Sequence, residues 1–330
     1  MGFRGSRLVF ISCVVLACVS ALQAQQKGQY VPGQQGLNAG VIPDPGFTYA
    51  NLAINFSSSQ FNDSNGNHVS GVSGTYAFWL DENIFYYVSN FKILGAHFAP
   101  YVAVNFANGS LVADITGTNL AASGGGVGLS DTWVEPVNLG WHFKRADFNA
   151  GYAFVAPTGR FSPGATNNVG SGYWGNDITT GTTFYITKNK GTSANLFTDW
   201  EKHGKKSGTD VTPGEAFTDE WGLGQILPLK KDFSRLLQLG VIGYDQWQVS
   251  NNGGFLTANV PASLLPYYSG HAIGFQTNFI LPTKGVNLFF KYEDEYGAKA
   301  APQGRSFVFG GSWTLRIPKP APPPPPPPKP

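Results

Sequence analysis

VGLSDTWVEPVNLGWHFKRADFNAGYAFVAPTG, residues Val127–Gly159, divides at the charged Lys144-Arg145-Ala146-Asp147 into two apolar arms, Asn138–Phe143 and Phe148–Ala156. This spacing predicts a β-hairpin with a very short polar turn. In the second arm Phe148, Ala150, Tyr152 and Phe154 share one face, and Asn149, Gly151, Ala153 and Val155 the other. That is the period of two of a strand, with bulky apolar groups on one side and small or polar groups on the other. A soluble sandwich would set its charges outward. The scarcity of charge in these arms instead points the large face at lipid.

The rest of the composition agrees. Charged residues make up only 13% of the chain, aromatic residues 14%, and there are 42 glycines. No run after the amino terminus approaches the ~20 apolar residues of a membrane helix. Residues 1–24 read as a secretory signal peptide: Arg4 and Arg7 precede the apolar Leu8–Ala21, and cleavage is expected near Ala24 or after Ala21. Val15-Leu16-Ala17-Cys18 is a poor lipoprotein box, because Leu16 is bulky where such boxes carry smaller residues. Both cysteines, Cys13 and Cys18, fall inside this segment, so the exported chain has no disulfide and no thiol chemistry. Residues 1–24 hold two of the 22 basic residues and no acidic ones, which leaves 20 of each sign. That balance argues against a nucleic-acid partner.

Residues 25–46, rich in Gln, Gly and Pro, are expected to be a flexible periplasmic lead-in. Strand patterns follow near 47–56, 69–81, 94–106, 129–143, 146–156, 177–188, 192–204, 215–228, 234–248, 268–281, 285–297 and 304–316. The expected fold is therefore all-β, an antiparallel transmembrane β-barrel of about twelve strands spanning 47–317, in the outer membrane of a Gram-negative-type bacterium. Short connections at 144–147, 188–191, 228–232 and 282–285 alternate with longer ones near 107–127, 157–176, 205–214 and 249–267, as periplasmic turns alternate with outer loops. The connection at 82–93 breaks this alternation. In the last strand Phe307, Phe309, Trp313 and Leu315 oppose Ser306, Ser312 and Thr314, an apolar-out, polar-in pattern. Residues 318–330 are almost pure proline and predict a polyproline II rod, a spacer or a contact to the cell wall or a periplasmic partner.

A barrel acts through what alternation turns into its lumen. Asn195, Asp199, Glu201 and His203 share one face of their strand, and Asn287, Lys291, Glu293 and Glu295 share a face of another. Charges facing lipid are costly, so these are expected to point inward, either as salt bridges bracing the wall or as a selectivity lining. Gln238, Tyr244, Gln246 and Gln276 are further candidates for the lumen or substrate path. Tyr86, Tyr87, Trp133, Trp141, Trp174, Trp200, Trp221, Trp247 and Trp313 read as girdle or loop-packing residues. His68 and Ser70 would share a strand face and offer the minimum of an activated hydroxyl, although no orienting acid or amide is identifiable. The histidines lack paired spacing, and neither a metal site nor a cofactor is expected.

Five segments together resemble an outer-membrane family named for the MetA pathway of phenol degradation. They are Pro43–Gly46 (PDPG), Gly128–Phe143 (GLSDTWVEPVNLGWHF), Phe154–Phe161 (FVAPTGRF), Asn168–Trp174 (NVGSGYW) and Gly243–Gln248 (GYDQWQ). The resemblance spans roughly 43–316 and implies a channel or transporter for small hydrophobic or aromatic compounds, with outer-membrane lipids as its surroundings. Passage would be passive, since no nucleotide-binding loop is present. The loops 157–176 and 249–267 are candidates for entry or gating. Two other readings are kept: a structural or adhesive barrel acting through its outer loops, and an outer-membrane lipid hydrolase using His68 and Ser70.

Overall fold

The computed structural model describes residues 28–316 except 117, 119 and 120. The signal segment 1–24 and the proline tail 318–330 lie outside the described residues. Twelve antiparallel strands form the wall: β1 (Gly46–Phe61), β2 (Val72–Val88), β3 (Tyr101–Ile115), β4 in two parts (Ala121–Leu129 and Thr132–His142), β5 (Ala146–Ala156), β6 (Gly175–Tyr185), β7 (Thr192–His203), β8 (Ala216–Pro228), β9 (Leu236–Gln248), β10 (Ser269–Leu281), β11 (Val286–Lys299) and β12 (Pro302–Arg316). Each pairs with its neighbours in sequence, and β12 returns to β1 with Phe47 opposite Leu315, so the sheet closes. Closure leaves no free edge, the condition for crossing a bilayer with strands.

The expected hairpin is present. Trp141 pairs with Phe148 and Leu139 with Ala150 across the turn at 143–145. Phe148, Tyr152 and Phe154 face outward, while Asn149, Ala153 and Val155 are buried inside. The short turns define one end of the barrel and the loops 157–174, 204–215 and 249–268 the other, taken as the periplasmic and outer ends.

Boundaries differ from the sequence reading in one region. The segment 107–127, expected to be an outer loop, is mostly wall: β3 runs to Ile115 and β4 begins at Ala121, with Ala107 opposite Gly128 and Gly109 opposite Gly126. Its Ala-Ser-Gly composition hides the strand, because a ladder needs only backbone groups whereas a pattern needs side chains. Likewise β2 continues through 82–88, where Glu82, Tyr86 and Val88 prolong its inward face. The connection that follows holds a small hairpin, Lys92–Ile93 with Ala96–Phe98, docked on β4 at His97–Gly140. β4 itself is interrupted at Ser130–Asp131, but both parts pair with β3.

The interior is not uniformly polar. β6, β7 and β8 turn Asp177, Thr179, Thr183, Asn195, Asp199, Glu201, Thr218 and Glu220 inward, all buried. On β1, β2 and β12 the buried inward set is Leu52, Ile54, Leu80 and Val308, in contact with Phe78, Ile84 and Phe289. Other polar groups of β1 and β2 point outward: the Asn51 amide donates to exposed Asp81 (2.6 Å), and the Tyr49 hydroxyl to Asn83 (2.7 Å). Asp81 is thus a wall charge on the outer surface, its carboxylate bonded by a neighbouring amide. Leu223, midway along β8 and 60% exposed, is the reverse case, an apolar group directed at lipid. Leu223→Arg should therefore cost about 2–4 kcal/mol at that depth, read from reversible denaturant unfolding in lipid. Leu223→Phe should leave the midpoint unchanged.

Candidate functional site

The segment 28–45, expected to be a flexible lead-in, lies inside the barrel. It leaves β1 at the periplasmic rim and climbs the polar wall, exchanging hydrogen bonds at nearly every step. Gly40 N–H donates to Thr183 Oγ1 (3.0 Å), the Asn149 amide donates to Ala39 O (2.8 Å), and Leu37 N–H donates to Gln276 Oε1 (2.9 Å). Asn38 and Gln238 form a reciprocal amide pair at 2.7 and 3.0 Å. Near the outer end Gln29 and Tyr30 donate their N–H groups to Glu201 Oε2 (2.5 and 3.2 Å), and Gly28 N–H reaches the Tyr268 hydroxyl (2.6 Å). A strand-poor, Gly- and Gln-rich chain has backbone groups to satisfy, and the lumen supplies the partners.

The tightest grip is at Gly33–Gly36. The Glu220 carboxylate accepts five hydrogen bonds: Tyr30 hydroxyl (2.6 Å), Gly33 N–H (2.8 Å) and Gln34 N–H (3.1 Å) on one oxygen, Gln35 N–H (2.8 Å) and Gly36 N–H (3.1 Å) on the other. Lys291 Nζ donates to the carbonyls of Gly33 (2.9 Å), Gln34 (2.5 Å) and Gln35 (3.0 Å) from the other side. Gly33 (φ 91°) and Gly36 (φ 63°) take left-handed conformations that turn successive N–H groups toward one anion. A Cβ at Gly33 would also stand 2.3 Å from Glu293 Oε2.

All ten sequence candidates point into the lumen, but to different surroundings. Asn195, Glu201, Gln238, Gln246, Gln276 and Lys291 bond the plug directly. His203 binds Glu201 (3.2 Å) and Gly214 O (2.8 Å), Tyr244 donates to Glu295 (2.8 Å), and Asp199 and Glu293 are buried beside them. Lys291 donates to backbone carbonyls, and His203 lies 3.2 Å from Glu201, an ion pair when the imidazole is protonated. Only Tyr244, Gln276 and Lys291 of the ten also border the space the plug leaves open. That space is a cavity of about 530 Å³ whose apolar side is Leu52, Ile54, Phe56, Phe78, Leu80, Ile84, Trp133 and Phe289, with Val31 and Pro32 of the plug opposite and polar groups such as Asn105, Glu135, Asn278 and Asn287 completing the lining. Glu82 enters this wall with Oε2 unpartnered. Sequence reasoning missed these apolar residues; the available signal was the displacement of Asn51, Asn55, Asp81 and Asn83 to the opposite faces of β1 and β2.

A family model described as "Putative MetA-pathway of phenol degradation" matches residues 58–309. The chain belongs to this family. Among solved structures, an outer-membrane channel of the COG4313 group from Pseudomonas putida F1 superposes with TM-score 0.67 at 14% identity, covering 87% of this chain and 100% of that one. The β domain of the Bordetella autotransporter BrkA (TM-score 0.49, 12% identity, 82% and 100% coverage) and the transport unit of AIDA-I from Escherichia coli (0.48, 12%, 91% and 98%) are also similar. No curated protein sequence matches significantly. This MetA-pathway family member is an outer-membrane β-barrel.

At the outer end of this family member the loop 157–174 folds over the cavity, held by Asp131 at the β4 interruption, which accepts from Gly159 N–H (3.0 Å) and Ser171 N–H (2.7 Å). The 204–215 connection docks on that loop through Ser207 N–H to Gly172 O (2.8 Å), with Lys206 over the Phe161 ring at 5.0 Å. Burial pushes the Lys206 ammonium down to about 8. Two girdle expectations are corrected: Trp133 points inward against Tyr30 (6.2 Å), and Tyr86 points inward to receive the Asn138 amide (3.1 Å). His68 and Ser70 are both exposed in the β1–β2 connection, before β2 begins, and no hydrogen bond joins them.

If the Glu220 carboxylate holds the plug, Glu220→Ala strands four buried N–H groups, and hydrogen bonds to a charged acceptor are worth about 1.5–3 kcal/mol. A cysteine introduced at buried Ala39, in a chain expressed from residue 25 and so carrying no other thiol, should react with a water-soluble maleimide at least about tenfold faster in that background. Equal rates would show that the plug is held elsewhere.

Proposed function

We propose that this protein is a passive outer-membrane channel for small hydrophobic or aromatic compounds, and that the solute path is the apolar cavity beside the plug. The observation that carries this reading is the asymmetry of the lumen: the plug lies along the polar wall, and the β1–β2 side of the remaining space is apolar, with Glu82, Asn105, Glu135 and Asn287 among the polar groups that share its lining. Its volume is in the range of small-molecule sites, which are mostly apolar with a few polar groups that fix orientation. Glu82 supplies such a group. As an acceptor without a partner in an apolar wall, it suits a solute carrying one hydroxyl donor on an apolar or aromatic body. The family's description and the outer-membrane channel similar in fold support the same reading. The exposed, unjoined His68 and Ser70 give no support to a lipid hydrolase.

Two of the ten polar candidates take a second role here. Gln276 and Lys291 border both plug and cavity, so a solute entering the cavity lies against Lys291, which grips Gly33–Gln35, and Gln276, which accepts from Leu37. Tyr244 borders the cavity without bonding the plug.

The test compares uptake of toluene and phenol into proteoliposomes with ionic conductance in planar bilayers. Intact protein should pass the aromatic solutes with little ionic current. Removing residues 28–41 should raise conductance severalfold, and Leu80→Asp, which charges the apolar wall, should cut toluene uptake about tenfold or more. Uptake unaffected by Leu80→Asp would move the path away from this cavity.

A further inference from the structure

Asp177 of β6 stands directly opposite Glu201 of β7 in the strand ladder, and Asp199 is two residues before Glu201 on the same inward face. One oxygen from each of the three carboxylates lies within 4.8 Å of the others. Asp177, Asp199 and Glu201 are all 0% exposed. All four side-chain oxygens of Asp177 and Asp199, and Glu201 Oε1, have no hydrogen-bond partner among the described residues. Like charges directly opposite each other weaken a sheet, and buried charges persist only when paired or bound to metal. The local cation, His203, touches only Glu201 Oε2, and Lys291 is engaged by the plug.

Further oxygens without partners surround the cluster. Tyr173 of the outer loop is 1% exposed, packs its ring against His203 at 5.1 Å, and has an unpartnered hydroxyl. Gln29 of the plug, whose N–H is bonded to Glu201, has an unpartnered side-chain Oε1. Buried carboxylate and amide oxygens lacking donors, joined by a hydroxyl oxygen with a free lone pair and gathered from wall, loop and plug, are what a cation fills.

We propose that Asp177, Asp199 and Glu201 bind one divalent cation of the calcium class. The donors are all oxygen, the choice of hard cations. Calcium holds oxygens at about 2.3–2.6 Å, so two ligands of one ion stand at most about 4.6–5.2 Å apart, a limit the cluster meets. Magnesium at about 2.0–2.1 Å would draw them closer than about 4.2 Å. The ion would neutralise the facing carboxylates of β6 and β7. Because Glu201 also receives Gln29 and Tyr30, it would stiffen the upper part of the plug. This proposal concerns the wall and plug, and does not depend on what the cavity carries.

The experiment uses the purified full barrel in detergent, stripped with EDTA and titrated with Ca²⁺ by calorimetry, with Tb³⁺ luminescence as a second readout. One saturable site per chain is expected, with calcium preferred to magnesium and with calcium raising the temperature at which the folded barrel loses its faster gel mobility. Asp177→Asn/Asp199→Asn should keep the folded mobility and weaken binding at least a hundredfold. Absence of Ca²⁺ and Tb³⁺ binding at neutral pH overturns the proposal and leaves the carboxylates to hold protons, as does binding unchanged in the double variant. Should the double variant lose its folded mobility, Asp199→Asn alone, which retains two of the ligands, decides by the same loss of affinity.

Discussion

The Glu220 carboxylate, with its five donors, is the contact on which the interior of this barrel depends. An ionised group inside a barrel wall needs a full set of hydrogen bonds, and a chain without secondary structure needs acceptors for its N–H groups. Each supplies the other's deficit. Lys291 completes the arrangement by taking the carbonyls of the same turn, so that one acid and one base hold opposite edges of Gly33–Gln35. Neither of the pair needs a bond to the other. Asn195, Glu201, Glu220, Gln238, Gln276 and Lys291, on β7 to β11, therefore serve a segment from the amino terminus.

Fixing the plug against one wall creates the cavity on the other. Had the inner faces of β1 and β2 been polar, the remaining space would be a wet pore. Leu52, Ile54, Phe78, Leu80 and Ile84 make it greasy instead, and their outward neighbours Asn51 and Asp81 carry the polarity to the outer surface. The same two strands that break the usual apolar-out rule thus shape the path for solute. The interruption of β4 at Asp131 does comparable work at the top, since the residue that leaves the ladder turns inward and holds the loop over the cavity.

The acidic content of the lumen has a further consequence for folding. Asp177, Asp199 and Glu201 are brought together by the local β6–β7 hairpin, and closure of the barrel then buries them. Protons or a cation must compensate their charge there. The plug contributes only backbone donors to Glu201 and none to the two aspartates.

The sequence by itself determined the barrel. Period-two alternation in strands such as Phe148–Phe154 and Phe307–Leu315, short turns at one end, and the lack of a helical span leave few other folds, because each follows from local geometry and from the cost of exposing backbone to lipid. It also determined that Asn195, Asp199, Glu201 and Lys291 point inward, since facing is set by parity along a strand. Where side chains are small, as in Ala121–Gly128, parity gives no signal and the strand was read as loop. What the inward groups meet was decided by tertiary structure alone. Residues 28–45 have no periodicity, and their partners Glu220 and Lys291 stand some 190 to 260 positions away in the chain. That pairing arises only when the sheet closes and its interior must be filled, so the plug and the cavity beside it belong to the closed barrel and not to any stretch of the sequence.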